Sequence, residues 1–199
     1  MKKTVVGALL SVPILFSCTH SNDVSYVDDN PKVIEIGENV SKKLLKTLKE
    51  ELVKAISKSP YEAIEVCNKK ALQLTKKVEE EVDHGIEIKR TSLKYRNPLN
   101  KPDKYEKEAL IKFENTTKEG KNLKHLIQKV NENGKTYYRY YKPLKIQNVC
   151  LMCHGEPSKM DKQLLAKIKS LYPNDKATGY NLGDFRGVIR VSIPEEMVK

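Results

Sequence analysis

From Ile36 onward apolar side chains return every fourth residue, at Val40, Leu44, Leu48, Leu52 and Ile56, and Leu45 and Val53 widen the stripe. That spacing predicts an amphipathic helix over 36–56. Ser59-Pro60-Tyr61-Glu62 then supplies an N-cap hydroxyl, a proline at the first helical position and a glutamate placed to close a capping box, so a second amphipathic helix starts there. Along it Ala63, Cys67, Ala71, Leu74 and Val78 share one face, which turns the Cys67 thiol inward with the apolar stripe. After Gly85 the period shortens: Ile86, Ile88 and Arg90 alternate with Glu87, Lys89 and Thr91, a strand of about six residues whose end carries charge inward or into a cleft.

The turn residues of 96–102 mark a loop, and Asp103 with Glu106 is placed to cap a third helix running through Phe113, with Gly120 beyond its end. Residues 123–130 and 135–142 flank Asn131-Glu132-Asn133-Gly134, a hairpin signal because Asn and Gly tolerate positive φ. Tyr137, Tyr138, Tyr140 and Tyr141 put phenol rings on both faces of its second strand, where core packing is expected ahead of binding. A short helix over 163–171 and a last strand over 188–193, with Ile189, Val191 and Ile193 alternating, complete an α+β domain.

The first 17 residues do not belong to that domain. Met1-Lys2-Lys3 is a basic start, Val5 to Phe16 a short apolar run and Ser17 a small residue before Cys18, the pattern of an export signal. The run is about a dozen residues, short of the roughly 20 that a spanning helix needs. Leu15-Phe16-Ser17-Cys18 is similar to the lipobox of bacterial lipoproteins, which implies acylation at Cys18 and a periplasmic, membrane-anchored protein. Residues 18–32, polar and containing Pro31, read as a tether, and 33–199 as one domain. The chain has 199 residues and a net charge of +11. A nucleic-acid partner is not expected, because the lysines are spread among glutamates and an exported chain rarely meets one. They read as a solvated surface that can attract acidic redox partners or anionic headgroups.

Cys150-Leu151-Met152-Cys153-His154 matches the attachment signature of c-type haem, with two thiols spaced for thioethers and an adjacent imidazole as proximal iron ligand. A dithiol pair would want a thioredoxin-like context, which is missing, and a zinc site would need Cys67 with Cys150, Cys153 and His154. The second iron ligand stays open among Cys67, His84, His125, Met160 and Met197, with a buried inert thiol as the plain alternative for Cys67.

Several longer motifs accompany this one in a fixed order: Cys67, the run from Arg90 to Asp103, Tyr141-Lys142-Pro143-Leu144, Cys150 to Gly155, the run from Tyr172 to Tyr180, and Gly183-Asp184-Phe185-Arg186-Gly187. Over residues 36–195 the chain resembles the bacterial c-type haem proteins with a PAS-like domain catalogued as DUF3365. The resemblance implies a PAS-like antiparallel sheet flanked by helices, one covalent haem c on Cys150 and Cys153, His154 on one side of the iron and Cys67 on the other. Arg90 is then a candidate contact for a haem propionate. Lys94 and Arg96 read as surface charge or as caps of the Asn-Pro loop. The expected role is electron transfer or redox sensing with a redox or signalling partner. The alternative is a sensor in which NO or CO displaces Cys67. A small peroxidase would need an acid–base residue that nothing in the sequence places.

Overall fold

The computed structural model describes residues 24–82 and 85–199. The leader with Cys18, the rest of the stretch before Val24, and His84 lie outside the described residues. The sheet begins earlier than the pattern of the chain suggests. Val24–Val27, assigned above to the tether, is a strand, β1, paired antiparallel with residues 127–130. A four-residue strand among turn residues carries too little periodicity to be read locally, and it is held by a partner about a hundred positions away.

Helix α1, Pro31–Ile56, starts five residues before its apolar stripe because Asn30 caps it, its side chain accepting from Val33 N, with Pro31 at the first turn. Helix α2, Pro60–Glu65, is capped by Ser59, which accepts from Glu62 N. The reciprocal bond of a capping box is not made, because Ser59 N already donates to Ala55 O at 3.0 Å. The second predicted helix is then interrupted. Val66–Lys70 forms a π-helical turn in which Ala71 N reaches Val66 O, and α3, Ala71–Glu80, follows. One extra residue in the turn shifts the face that Cys67 and its neighbours were expected to share.

Strand β2, Glu87–Thr91, leads to α4, Lys104–Lys118, which opens on a full Asp103/Glu106 capping box and outlasts Phe113 by a solvated turn and more. Strands β3, Leu126–Glu132, and β4, Lys135–Lys145, form the hairpin, with Asn133 at φ 53° and Gly134 at φ 77°, the two left-handed residues that a tight turn demands. Helices α5, Asn148–His154, and α6, Lys162–Leu171, precede β5, Phe185–Pro194.

All pairings are antiparallel, in the order β1-β3-β4-β5-β2, so the last strand in the chain lies inside the sheet between β4 and β2. One face packs under α1 and α3 through Val33, Val40, Leu44, Val78, Ile86, Ile88, Tyr140, Ile189, Val191 and Ile193. The other packs under α4 through Ala109, Leu110, Phe113, Leu126, Tyr141 and Val188. Tyr140 and Tyr141, adjacent in sequence, are both fully buried on opposite faces, as period-two geometry requires. The result is an α+β fold with a central sheet covered on both sides.

Candidate functional site

The α5 helix is only two turns long and ends at Gly155, whose added Cβ would lie 2.6 Å from Leu151 O. It is held from outside rather than by its own length. Tyr180 N donates to His154 O at 3.0 Å and Gly179 N to Gly155 O at 2.8 Å, so the segment after α6 runs along the end of α5 as a short ladder. His154 Nδ1 lies 2.7 Å from Ala177 O. A carbonyl only accepts, so Nδ1 carries the proton and Nε2 is left as the nitrogen able to bind a metal. Burial, with Arg186 and Arg96 nearby, pushes the His154 pKa down to about 3, and the imidazole is neutral. Tyr180 meets the ring edge-on at 6.4 Å between centroids.

Arg96 ties these pieces together. Its Nη2 donates to Cys153 O at 2.6 Å, to Asp175 Oδ2 at 2.9 Å and to Ala177 O at 3.3 Å. Asp175 Oδ1 in turn accepts from Ala177 N at 2.9 Å. Arg96 is therefore not surface charge, as the sequence suggested, but an almost buried fork that fixes the carbonyl on which His154 rests. Lys94 is likewise engaged, donating to Thr178 O at 2.5 Å and lying 4.2 Å over the Tyr180 ring.

Two clefts meet at His154 and Arg96. The first holds about 550 Å³ out to its mouth and is lined by Leu52, Ile56, Ala63, Ile64, Val149, Met152 and Tyr172 together with Cys67, Cys150, Cys153 and His154. Its walls are pinned by apolar packing of α1 on α2, through Ala55, Ala63 and Val66, and of α2 on α6, through Ile64, Leu164 and Ile168. Cys67 is exposed, but toward this cleft; the surrounding protein still raises its thiol pKa, against the pull of Arg90, Arg96 and Arg186. Burial similarly pushes Cys153 up to about 11. Both are thiols rather than thiolates when nothing is bound to them. Tyr172, whose hydroxyl donates to Asn68 Oδ1 at 3.0 Å, braces the π-turn beside Cys67. The second cleft, of similar size, is lined by Arg90, Arg96, Arg186, Ser92, Tyr95, Leu144 and His154.

Of the five candidates for a second ligand, Cys67 is the one seen in the cleft of His154. His125 stacks on Tyr140 at 5.6 Å on the α1 side of the sheet, Met197 packs into that same core, and Met160 lines neighbouring surface grooves. His84 lies outside the described residues. Cys67, Cys150 and Cys153 are free thiols, and among the described residues no three His, Cys, Asp or Glu side chains converge as a zinc ion requires. Arg186, Tyr172 and Ala177 were not singled out for a role by the sequence, although all three stand inside the motifs named above; nothing local signals that a backbone carbonyl will orient an imidazole. Chemically, an apolar half carrying three thiols joins a cationic half, with a neutral imidazole at the junction. That suits a flat, largely apolar group with an anionic edge, bound through sulfur and ligated through Nε2.

Comparison with curated proteins finds no match. The crystal structure of the cyanobacterial haem protein Tll0287 is similar, with a TM-score of 0.55 and 23% identity over 84% of this chain and 98% of that one, a likeness of fold. The Tll0287-like family model matches residues 20–194, nearly the whole chain including α5, both clefts and the helix that carries Cys67. The chain belongs to the Tll0287-like family.

Proposed function

We propose that this chain is an exported haem c protein that transfers electrons or senses redox state, carrying one haem bound through Cys150 and Cys153, with His154 and Cys67 as iron ligands. One observation carries the reading: the Cys-X-X-Cys-His helix and the Cys67 thiol line the same apolar cleft, and the hydrogen bond from Nδ1 to Ala177 O leaves Nε2 free. The family's cyanobacterial haem protein supports it. When bound, the haem supplies one-electron chemistry. The chain's part is to hold it by two sulfurs, to present a neutral imidazole and a thiol, and to keep water away with Leu52, Ile56, Ile64 and Tyr172. As an iron ligand Cys67 would serve as thiolate, since a bound metal would offset the burial that otherwise favours the thiol. Arg90, at the cleft end of β2, is a contact for a propionate.

The leader pattern of residues 1–17 and Cys18 supports a periplasmic protein on a lipid anchor, working with a redox or signalling partner; among the described residues no helix is long and apolar enough to cross a membrane. A second reading, a sensor in which NO or CO takes the place of Cys67, draws on one feature: Cys67 sits in a π-turn, a geometry frequent where helices carry function.

The test is the absorption and EPR spectrum of protein matured in a host that attaches haem c, wild type and Cys67→Ala. Low-spin ferric thiolate signals that vanish in the variant are expected. Spectra that do not change would remove Cys67 as a ligand, and protein without covalent haem would overturn the reading. Exposure of both proteins to CO and NO separates the sensor from the carrier.

A further inference from the structure

The second cleft carries more positive charge than the chain itself neutralises. Of the three guanidiniums that line it, Arg96 has an acid, Asp175. Arg186 gives Nη1 to two neutral acceptors, Ser92 Oγ at 2.7 Å and Lys94 O at 3.1 Å, and lies 5.5 Å from the Tyr180 ring centroid. Arg90 has no side-chain hydrogen bond or ion pair among the described residues, and its Nε is buried without a partner. The ammonium of Lys94, whose carbonyl Arg186 reaches, is committed to Thr178 O. Burial, offset by Cys67 and reinforced by Arg186, lowers the pKa of Arg90; burial also lowers that of Arg186. Arg90 has no acid partner, and Arg186 feels only at a distance the Asp175 carboxylate that Arg96 already holds; partly buried cations near each other with so little counter-charge are costly, and a fold that keeps them has an anion for them.

We infer that Arg90 and Arg186 form a clamp for the two carboxylates of the group that Cys150 and Cys153 hold, one guanidinium to each. The inference rests on the haem reading and extends it to the second arginine and to the group's orientation. Because the two clefts share His154 and Arg96, a group attached at α5 reaches the cationic cleft without leaving the apolar one. Its carboxylate edge lies toward the ends of β2 and β5, and its apolar edge toward Leu52, Ile56 and Ile64. Guanidiniums suit this task because each presents two parallel N–H groups to a carboxylate.

The test is a potentiometric titration of the haem-loaded protein from pH 5 to pH 9, comparing wild type with Arg90→Leu, Arg186→Leu and Arg186→Lys. In the wild type the clamped carboxylates are ionised throughout, and the midpoint potential is flat over the lower part of this range. Losing a guanidinium removes positive charge beside the iron and lets a carboxylate take up a proton near neutral pH. Each Leu variant is therefore expected to lower the reduction constant about tenfold, or 59 mV for one electron. It should also gain a new slope, the potential falling as pH rises through the released carboxylate's pKa. A uniform drop with no new slope would mark a through-space charge effect and overturn the contact, as would unchanged potentials. If Arg186→Leu fails to fold, through loss of its bonds to Ser92 and Lys94, then Arg90→Leu and Arg186→Lys decide. Haem staining of denatured wild type separates the two readings: no covalent haem sinks the haem reading and the clamp together, whereas attached haem with unresponsive potentials sinks the clamp alone.

Discussion

Arg96 faces three acceptors with one nitrogen, and the acceptors lie 57 to 81 residues further along the chain. No local pattern reveals such a residue; in sequence it is one cation beside an Asn-Pro loop. In the fold it leaves Asp175 and the Ala177 carbonyl correctly placed for His154. Arg96→Leu would leave that carboxylate buried without its cation, and is expected to cost about 3–5 kcal/mol in urea unfolding. Arg96→Lys should recover only part of the loss, since an ammonium lacks the planar fork. Cys150, Cys153 and His154, by contrast, were legible at once, because their chemistry is a matter of five consecutive positions.

At the scale of elements, α1 seats itself on the sheet at Gly37. A Cβ built there would lie 2.2 Å from Tyr140 Cγ, and the ring is fully buried. Gly37→Ala must therefore push helix and strand apart, and a loss of about 1–3 kcal/mol or more is expected by denaturation. Val53→Ala, on the exposed side of the same helix, should stay within about 0.5 kcal/mol and serves as control. The helix itself was readable from its four-residue spacing, and so were its successors' caps. The close approach was not: Gly37 falls inside a helical pattern, where glycine reads only as a weakness. The π-turn was equally hidden. Its signature is one bond from Ala71 N to Val66 O, and the residues that stabilise it, Tyr172 among them, come from the other half of the chain.

For the whole molecule, carboxylates that bridge layers set the response to acid. Glu38 on α1 is pushed up by burial, but hydrogen bonds from Lys142 and Tyr140 and the charge of Lys142 outweigh this and hold it below the usual carboxylate range. Asp103, also pushed up by burial, is held down by the backbone N–H of Glu106 and by Arg139. Folded pKa values below unfolded ones contribute stability that is present above the unfolded pKa, near pH 4, and is lost as pH falls through the folded value. The melting temperature is thus expected to hold from neutral pH to about pH 5 and then fall. In Glu38→Gln the neutral-pH value should drop and the acid slope should flatten. A slope that stays as steep would show that this pairing does not couple to folding.

The amino-acid sequence by itself determined what short-range forces decide: the helix and strand periods, the Ser59 and Asp103 caps, the Asn133-Gly134 turn, and the thiol–thiol–imidazole spacing of 150–154. Each rests on contacts spanning about four residues or fewer, so each is written locally. Tertiary structure alone decided which candidate shares a cleft with His154, which nitrogen of that imidazole is free, and that three arginines from β2, its loop and β5 meet beside it. Those outcomes depend on segments about a hundred residues apart being brought within a few ångströms by burial of the two sheet faces, and burial constrains their apolar residues without recording which polar groups it will carry inside.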